Sequence, residues 1–418
     1  MLVIVQNLPV PFDRRVWLEC QTLCAAGYDV TVVCPTGEGT EAEQTVDGVR
    51  IVAYPSFAPG GSALSYAGEY GYSFLATARL ALRERRRAGR FDVVQACNPP
   101  DIFWPLARWL RLRDDTRFVF DHHDLCPELF RSRFGAGRRP LLRGLLFLER
   151  QTFSAADRVI STNESYAEVA LTRGGKAPAH VTVVRTGPDV DRLKRRAPDP
   201  ELRRGRPHLV AYLGVMGPQD GVELIIEAAD VIVNRMGRRD VSFCLMGSGD
   251  ERPRLIAERD RWGLRDHVDL PGRVSDEVVA EVLSTADLGL CPDPLNPLND
   301  VSTMNKTMEY MAFELPVVAF DLRETRVSAQ DAARYVTPNV VEEYAAAIVE
   351  LLDDPAARER MGRFGRQRVE EQLGWSYQRG AYQAVFDELA GVHSAPVRPV
   401  PAPAAEAARA TEPATSEA

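Results

Sequence analysis

Residues 291–321 read CPDPLNPLNDVSTMNKTMEYMAFELPVVAFD, and their pattern decides the fold. A short apolar run, Leu288–Leu290, leads into this stretch and predicts a strand. A polar, proline-bearing loop follows, then a helical pattern over Thr303–Phe313, then a buried strand over Pro316–Phe320. A strand, a crossover helix and a second strand imply parallel pairing, so the helix begins at the carboxyl edge of the sheet. Free N–H groups and the helix dipole suit a phosphate at that edge. Ser302 or Asp300 is expected to cap the helix, and its first turn (Ser302, Thr303, Asn305) reads as ligand-contacting. Met304, Met308 and Met311 recur at i, i+4 and i+7 and are expected to face the core. Lys306 and Glu309 fall on the opposite side together with Phe313, an aromatic residue that a purely solvated face less often carries. A lysine neutralises a diphosphate, and a carboxylate accepts both hydroxyls of a ribose. The plain alternative is a Lys–Glu surface pair of little energetic consequence. The surrounding loop and the scarcity of lysine favour the ligand: of 51 basic residues only Lys176, Lys194 and Lys306 are lysine.

The same alternation runs outward in both directions. Leu2–Val5, Val30–Val33, Val49–Val52, Asp92–Gln95, Phe118–Phe120, Arg158–Ile160 and Val181–Val184 read as strands, separated by helical patterns such as Arg14–Ala26. The charged segment KRRAPDPELRRGRP (194–207) reads as a linker, after which the rhythm restarts at His208–Leu213 and Val241–Met246. A chain of 418 residues also exceeds the ~250–300 that one core usually supports. The expectation is therefore an α/β protein of two doubly wound, Rossmann-like domains, 1–195 and 206–375, with a cleft between them. A helix over 376–391 and a Pro/Ala-rich tail, 394–418, complete the division, the tail being too poor in apolar residues to order.

Composition narrows the function classes. A net charge of −8 without a basic domain argues against nucleic acid. Seven cysteines with no C-x-x-C pair form neither a disulfide framework nor a zinc signature, so a reducing cytoplasm is expected. No apolar run approaches the ~18 residues of a membrane span, and Met1–Val5 enters a strand at once without a basic leader.

Secondary signals are weaker. Gly214-Val215-Met216-Gly217 and Gly247-Ser248-Gly249 each follow a strand and precede a helix, where backbone N–H groups reach a phosphate, although a plain tight turn is the commoner meaning. FVFDHHD (118–124) runs a strand into two histidines and an acid. A metal site there is disfavoured, because adjacent residues of an extended segment point oppositely. Asp189-Val190-Asp191 is a triplet that chance supplies often, and no metal is expected. Two arginine-rich stretches, 79–90 and 131–150, each hold six arginines; a basic amphipathic helix can lie on an anionic bilayer, although a charged helix with one core face is the commoner case.

Taken together, NDVSTMNKTMEYMAFELPVVAFDLRETR resembles the donor-binding region of family 4 retaining glycosyltransferases. PFDRRVWLECQTLCAAGYDVTVVCP, DVVQACNPPD, FDHHDLCPELF, ADRVISTNES, YLGVMGPQDGVELIIEA and MGSGDERPRL fall in that family's order over residues 1–390. The resemblance implies the GT-B fold, a metal-independent reaction with no cofactor, a nucleotide-diphosphate sugar as donor, and a final helix, Tyr377–Leu389 here, crossing back to the first domain. It implies further that Glu309 anchors the donor ribose and that Lys306 and the helix start meet the diphosphate. Gly214, Gly217 and Gly247 would lie on the donor, with Arg273 and Val274 at the base. His123 would act near the transferred sugar as an orienting or proton-relaying group. Arg14 and Arg15, on the loop after the first strand, would meet the acceptor on its side of the cleft with Asp124. Three departures stand out. Val301 replaces the first glutamate of the family's pair, Val215 and Asp220 occupy the places of a basic pair, and no glycine precedes Gly27.

The expected activity is transfer of a hexose-type sugar to a glycan or lipid-linked acceptor in cell-surface polysaccharide or glycolipid assembly, with peripheral contact to an anionic membrane. The alternatives are a nucleotide-sugar epimerase or hydrolase, and a non-catalytic nucleotide-binding homologue.

Overall fold

The structure, a computed structural model, describes residues 1–37, 41–57, 63–135, 139–190 and 194–392. The predicted tail and Asp191 lie outside the described residues. The first sheet contains β1 (Leu2–Ile4), β2 (Thr31–Pro35), β3 (Glu43–Val46), β4 (Val49–Tyr54), β5 (Val93–Cys97), β6 (Arg117–His122), β7 (Arg158–Ser161) and β8 (Val181–Val183). The second contains β9 (His208–Leu213), β10 (Val241–Met246), β11 (Val268–Gly272), β12 (Leu288–Cys291), β13 (Val317–Phe320) and β14 (Ala333–Val336).

The spatial orders are β3-β4-β2-β1-β5-β6-β7-β8 and β11-β10-β9-β12-β13-β14. In each, chain order reverses beside the first parallel strand, between β1 and β5 and between β9 and β12. These are the switch points outside which an open α/β sheet binds its ligands. Helices cover both faces, so β1, β2 and β5 are buried along their whole length.

Three strands were not legible in the sequence. β3 forms an antiparallel hairpin with β4 at the sheet edge and alternates exposed with half-buried residues. β11 carries a proline, and β14 is an edge strand with an exposed arginine. Short edge strands lack the continuous apolar run that marks a central parallel strand.

The last helix, Trp375–Ala390, belongs to the first domain's core. Trp375, Tyr382, Val385 and Phe386 pack with Val3, Val16, Val32 and Ile51. Tyr382 Oη donates to Gln95 Oε1 at 2.6 Å, and Trp375 Nε1 to Thr22 Oγ1 at 3.0 Å. Tyr382→Phe should cost ~1 kcal/mol by stranding the Gln95 carbonyl, which urea unfolding would read. Among the described residues, no helix is long and apolar enough to cross a membrane.

Candidate active site

Residues that follow β1 and β7 in the first domain meet residues that follow β11 and β12 in the second. The helix after β12 begins at Asn305, two residues later than its sequence pattern indicates, and ends at Ala312. Neither expected cap serves it: its N-cap is Met304, which makes no side-chain bond. Asp300 instead accepts from Arg323 N–H at 2.9 Å. The Ser302 hydroxyl donates to Leu298 O at 2.7 Å and lies 2.9 Å from Tyr166 Oη. Phe313 is also not ligand-facing, being 1% exposed among Met308, Met311 and Leu315.

Lys306 lies on this helix with its chain buried at the end of β9. Its Nζ bonds Asp293 Oδ1 at 2.5 Å and stands 5.5 Å from the centre of the Tyr212 ring. Burial opposes its charge, but Asp293 outweighs that and holds the ammonium above the ordinary lysine range. Asp293 Oδ2 has no protein partner among the described residues. Asp293 was missed in the sequence because CPDP reads as an ordinary proline loop; only its place just past β12 marks it.

The glycine turns are built by close packing. A Cβ on Gly247, whose φ is +143°, would meet Gly214 O at 1.8 Å, and one on Gly214 would stand 3.2 Å from Lys306 Cε. Gly247 N–H donates to Gly272 O at 2.9 Å, and Gly214 N–H to Met246 O at 3.1 Å. Those two amides are therefore engaged by the protein itself, which corrects the expectation that they cradle a phosphate. Gly217 N–H is taken by Asp220 Oδ2 at 2.9 Å. Burial raises Asp220 to about 6 against the pull of Lys306. An acid thus sits against the amide where a phosphate oxygen was expected.

Residues from both domains meet over this floor. Arg14 Nη1 bonds Glu309 Oε1 at 2.8 Å, and Nη2 bonds Asp276. Arg14 and Arg15 are the first residues of the helix Arg14–Ala25, capped by Asp13, and not part of the preceding loop. Arg14 therefore contacts the carboxylate that the resemblance gives to the ribose. Nearby, Arg273 stacks on Phe12 with 3.8 Å from its guanidinium carbon to the ring centre, while Val274 packs half-buried in the core. Asn163 Nδ2 donates to Val301 O at 3.0 Å and to Thr303 Oγ1 at 2.9 Å. Asn305 is exposed.

On the first domain, His123 sits 11% exposed with Nε2 2.6 Å from Asp121 Oδ2. Burial works against charge on Asp121, but Arg15 and His123 hold it below the usual carboxylate range. An anion at that distance requires hydrogen on Nε2, which leaves Nδ1 as the basic ring nitrogen. The contact from Arg15 Nε to the same nitrogen, 2.8 Å, is then close packing and not a second hydrogen bond. Arg15 is 6% exposed and bonds Asp121 Oδ1 at 3.0 Å and Val184 O at 2.9 Å. It faces the interior and not an acceptor, so only Arg14 of the pair reaches the cleft. His122 points the other way, as alternation predicts, against Phe120, Phe153 and Tyr166. Burial, aided by Arg173, drops it to about 3.

Glu19, Cys97, Asp121 and His123 bring potential metal-ligand atoms within 4.8 Å of one another. The two carboxylates of the set are already held by neighbouring donors. Gln95 Nε2 donates to Glu19 Oε2 at 2.8 Å and Asp121 Oδ2 at 2.9 Å, and Arg15 Nε lies 2.9 Å from Glu19 Oε1. Burial and the neighbouring Asp121 push Glu19 well above the ordinary range, so Arg15 balances Asp121 within the protein.

Asn98 fixes the loop carrying the histidine. Its Oδ1 accepts from His123 N–H at 2.6 Å and Asp124 N–H at 3.1 Å, while Nδ2 donates to Asp124 O at 2.7 Å and Asp101 Oδ1 at 3.1 Å. Burial raises Asp124 to about 6 and Asp101 to about 7. An acid whose folded pKa is raised contributes stability that is fully present below the unfolded value of about 4. That contribution is lost as pH rises through the folded value, about 7 for Asp101. Asp101→Asn should therefore gain stability relative to wild type between pH ~4 and ~7 and hold that gain above. Urea unfolding at both ends of the window checks this.

Two family models match the chain: "Glycosyltransferase Family 4" over residues 13–192 and "Glycosyl transferases group 1" over residues 207–354. The alpha-D-kanosaminyltransferase of Streptomyces kanamyceticus is 32% identical over 212 residues, 49% of this chain and 50% of that protein. The chain thus spans about half the length of this relative. The glycogen synthase of Mycobacterium tuberculosis is 25% identical over 382 residues, 87% of each chain. The sucrose-phosphate synthase structure from Thermosynechococcus elongatus superposes with a TM-score of 0.74 at 18% identity, covering 94% of this chain and 99% of that one.

Proposed function

Because this chain belongs to the family 4 and group 1 glycosyltransferases of GT-B fold, we propose that it is a cytoplasmic, retaining hexosyltransferase. Its donor is a nucleotide-diphosphate sugar and its acceptor a hydroxyl-bearing glycan or lipid-linked molecule. The observation that carries this reading is the buried Lys306–Asp293 pair at the second domain's switch point, together with the His123–Asp121 pair on the first.

In this reading the donor diphosphate lies at Lys306. As the bond from the anomeric carbon to the phosphate oxygen breaks, charge gathers on the leaving diphosphate. A fixed ammonium aimed there stabilises it without reorganisation. Glu309 exchanges its Arg14 partner for the ribose hydroxyls, and Arg14 is released toward the acceptor. The acceptor oxygen bonds the anomeric carbon on the face the phosphate leaves, and its proton passes to the departing phosphate oxygen. His123, with Nε2–H on Asp121, orients the sugar through Nδ1.

The test is a panel of UDP-, GDP-, ADP- and TDP-sugars scored by thermal shift and by turnover with acceptor, the product's anomeric configuration being read by NMR. Retention with one nucleotide class is expected; inversion, or consumption of donor at the same rate with and without acceptor, overturns the reading. Glu309→Gln should lose about tenfold in affinity for that nucleoside diphosphate and little for its 2′,3′-dideoxy analogue.

A second reading is favoured by one specific feature. Asp220 on Gly217 N–H and Arg14 on Glu309 satisfy the donor side with the protein's own groups. A nucleotide-binding homologue without turnover would behave so, and in the panel it gives a thermal shift and no product.

A further inference from the structure

A cavity of about 420 Å³ lies in the first domain beside the cleft. Its walls are apolar: Ile102 after β5, Leu129 and Phe134 from the helix Cys126–Phe134, and Leu145 and Leu148 from the helix Arg139–Ala155. That volume falls in the ~300–1,000 Å³ range of small-molecule sites, but the convergent polar groups that orient a sugar are missing from it. Asp101 is the acid in its wall, 4% exposed with Oδ2 unpartnered. Burial brings that acid to about 7, so it is largely uncharged below neutrality.

Three features connect the cavity to the cleft and to a membrane. Arg133 lines it, is exposed, and its charge favours ionisation of both Asp124 on the first domain and Asp220 on the second, against the burial that raises them. It stands exposed on the cavity's rim. Asp101, at the cavity wall, is joined through Asn98 to the backbone of His123 and Asp124. The helix Arg139–Ala155 also presents apolar surface outside the cavity lining: Phe147 is 55% exposed, with Arg139 and Arg143 exposed beside it, and Leu141 of the lining is itself 45% exposed. An apolar face rimmed by arginine lies at the surface of an anionic bilayer.

We propose that this cavity takes the hydrocarbon chain of a membrane-borne acceptor lipid, with the lipid's anionic head on Arg133 and its reacting hydroxyl in the cleft beside His123. The transfer step rests on the glycosyltransferase reading above; the binding of the chain does not. Charge complementarity at Arg133 and the apolar walls select an anionic amphiphile over a soluble sugar.

Gly144 supplies the probe. It lies on the cavity wall, and a Cβ built there meets nothing within 4 Å, so the backbone accepts a side chain at that wall and Gly144→Phe serves as the filling variant. Butyl, hexyl, octyl and decyl phosphate, with inorganic phosphate as control, are titrated into the full chain below their micellar concentrations. In wild type, affinity should rise by up to about fourfold per methylene until the cavity is full. Gly144→Phe should flatten the series and leave the unfolding temperature unchanged, with Leu145→Trp as a second filling variant. Arg133→Gln should weaken every member about tenfold and keep the slope. A flat series in wild type overturns the proposal, as does an undiminished slope in both filling variants, which would put the chain on the outer face at Phe147. A nucleoside diphosphate titrated in parallel separates the two readings. Its failure to bind with the alkyl series intact removes the donor site alone, and the reverse result removes the lipid site alone.

Discussion

Lys306→Met is expected to abolish detectable transfer and to lower stability as well. Removing a preorganised charge from a developing anion costs about 10²–10³ in kcat. The same substitution leaves Asp293, 2% exposed, without its cation, and breaking a buried pair from one side costs ~3–5 kcal/mol. The two losses separate in the double variant Lys306→Met/Asp293→Asn, which removes the stranded charge. Its urea midpoint should recover most of the way to wild type while turnover stays at the level of the single variant. Recovery of turnover along with stability would mean that Lys306 serves the fold and not the diphosphate.

Asp121→Asn should lower kcat by about 10²–10⁴, the span of a misplaced proton-handling group, and leave the nucleotide affinity within about twofold. The amide no longer fixes hydrogen on His123 Nε2, so the ring loses its tautomer and its orientation. Stability should suffer less than for an isolated buried pair, because Glu19 stands beside the same arginine. Burial and then repulsion from Asp121 push Glu19 up; without that repulsion it shifts back toward the ordinary range, where pairing with Arg15 gains. Steady-state kinetics with nucleotide titration and urea unfolding read all three quantities. An unchanged kcat would show that Asp121 balances Arg15 and does nothing for His123.

The architecture was legible because parallel strands buried on both faces leave β-branched runs such as VTVV (30–33 region) and LPVVAF (315–320) in the sequence, punctuated by helices of regular length. The site was legible only in part. Lys306 and Glu309 stood out from helical spacing, and their positions hold, but the spacing could not show that Lys306 turns inward to Asp293 or that Glu309 meets Arg14. Asp121 and Asn98 were hidden for a different reason. Each sits at the end of a buried strand, where an acid or amide reads as a strand terminus; only the sheet register, Cys97 beside Asp121, brings them to the loop of His123. Arg15 was misplaced although the helical pattern was read from Arg14, because successive residues of a helix project about 100° apart, and here that turn decides between cleft and core.

The most direct measurement is calorimetric titration of the preferred nucleoside diphosphate into wild type and into Lys306→Met/Asp293→Asn at matched stability. The account predicts saturable binding to wild type and an affinity lower by about 100-fold in the double variant, the worth of a charge-assisted phosphate contact. Equal affinity in the two proteins would contradict it, and would take the donor diphosphate away from Lys306.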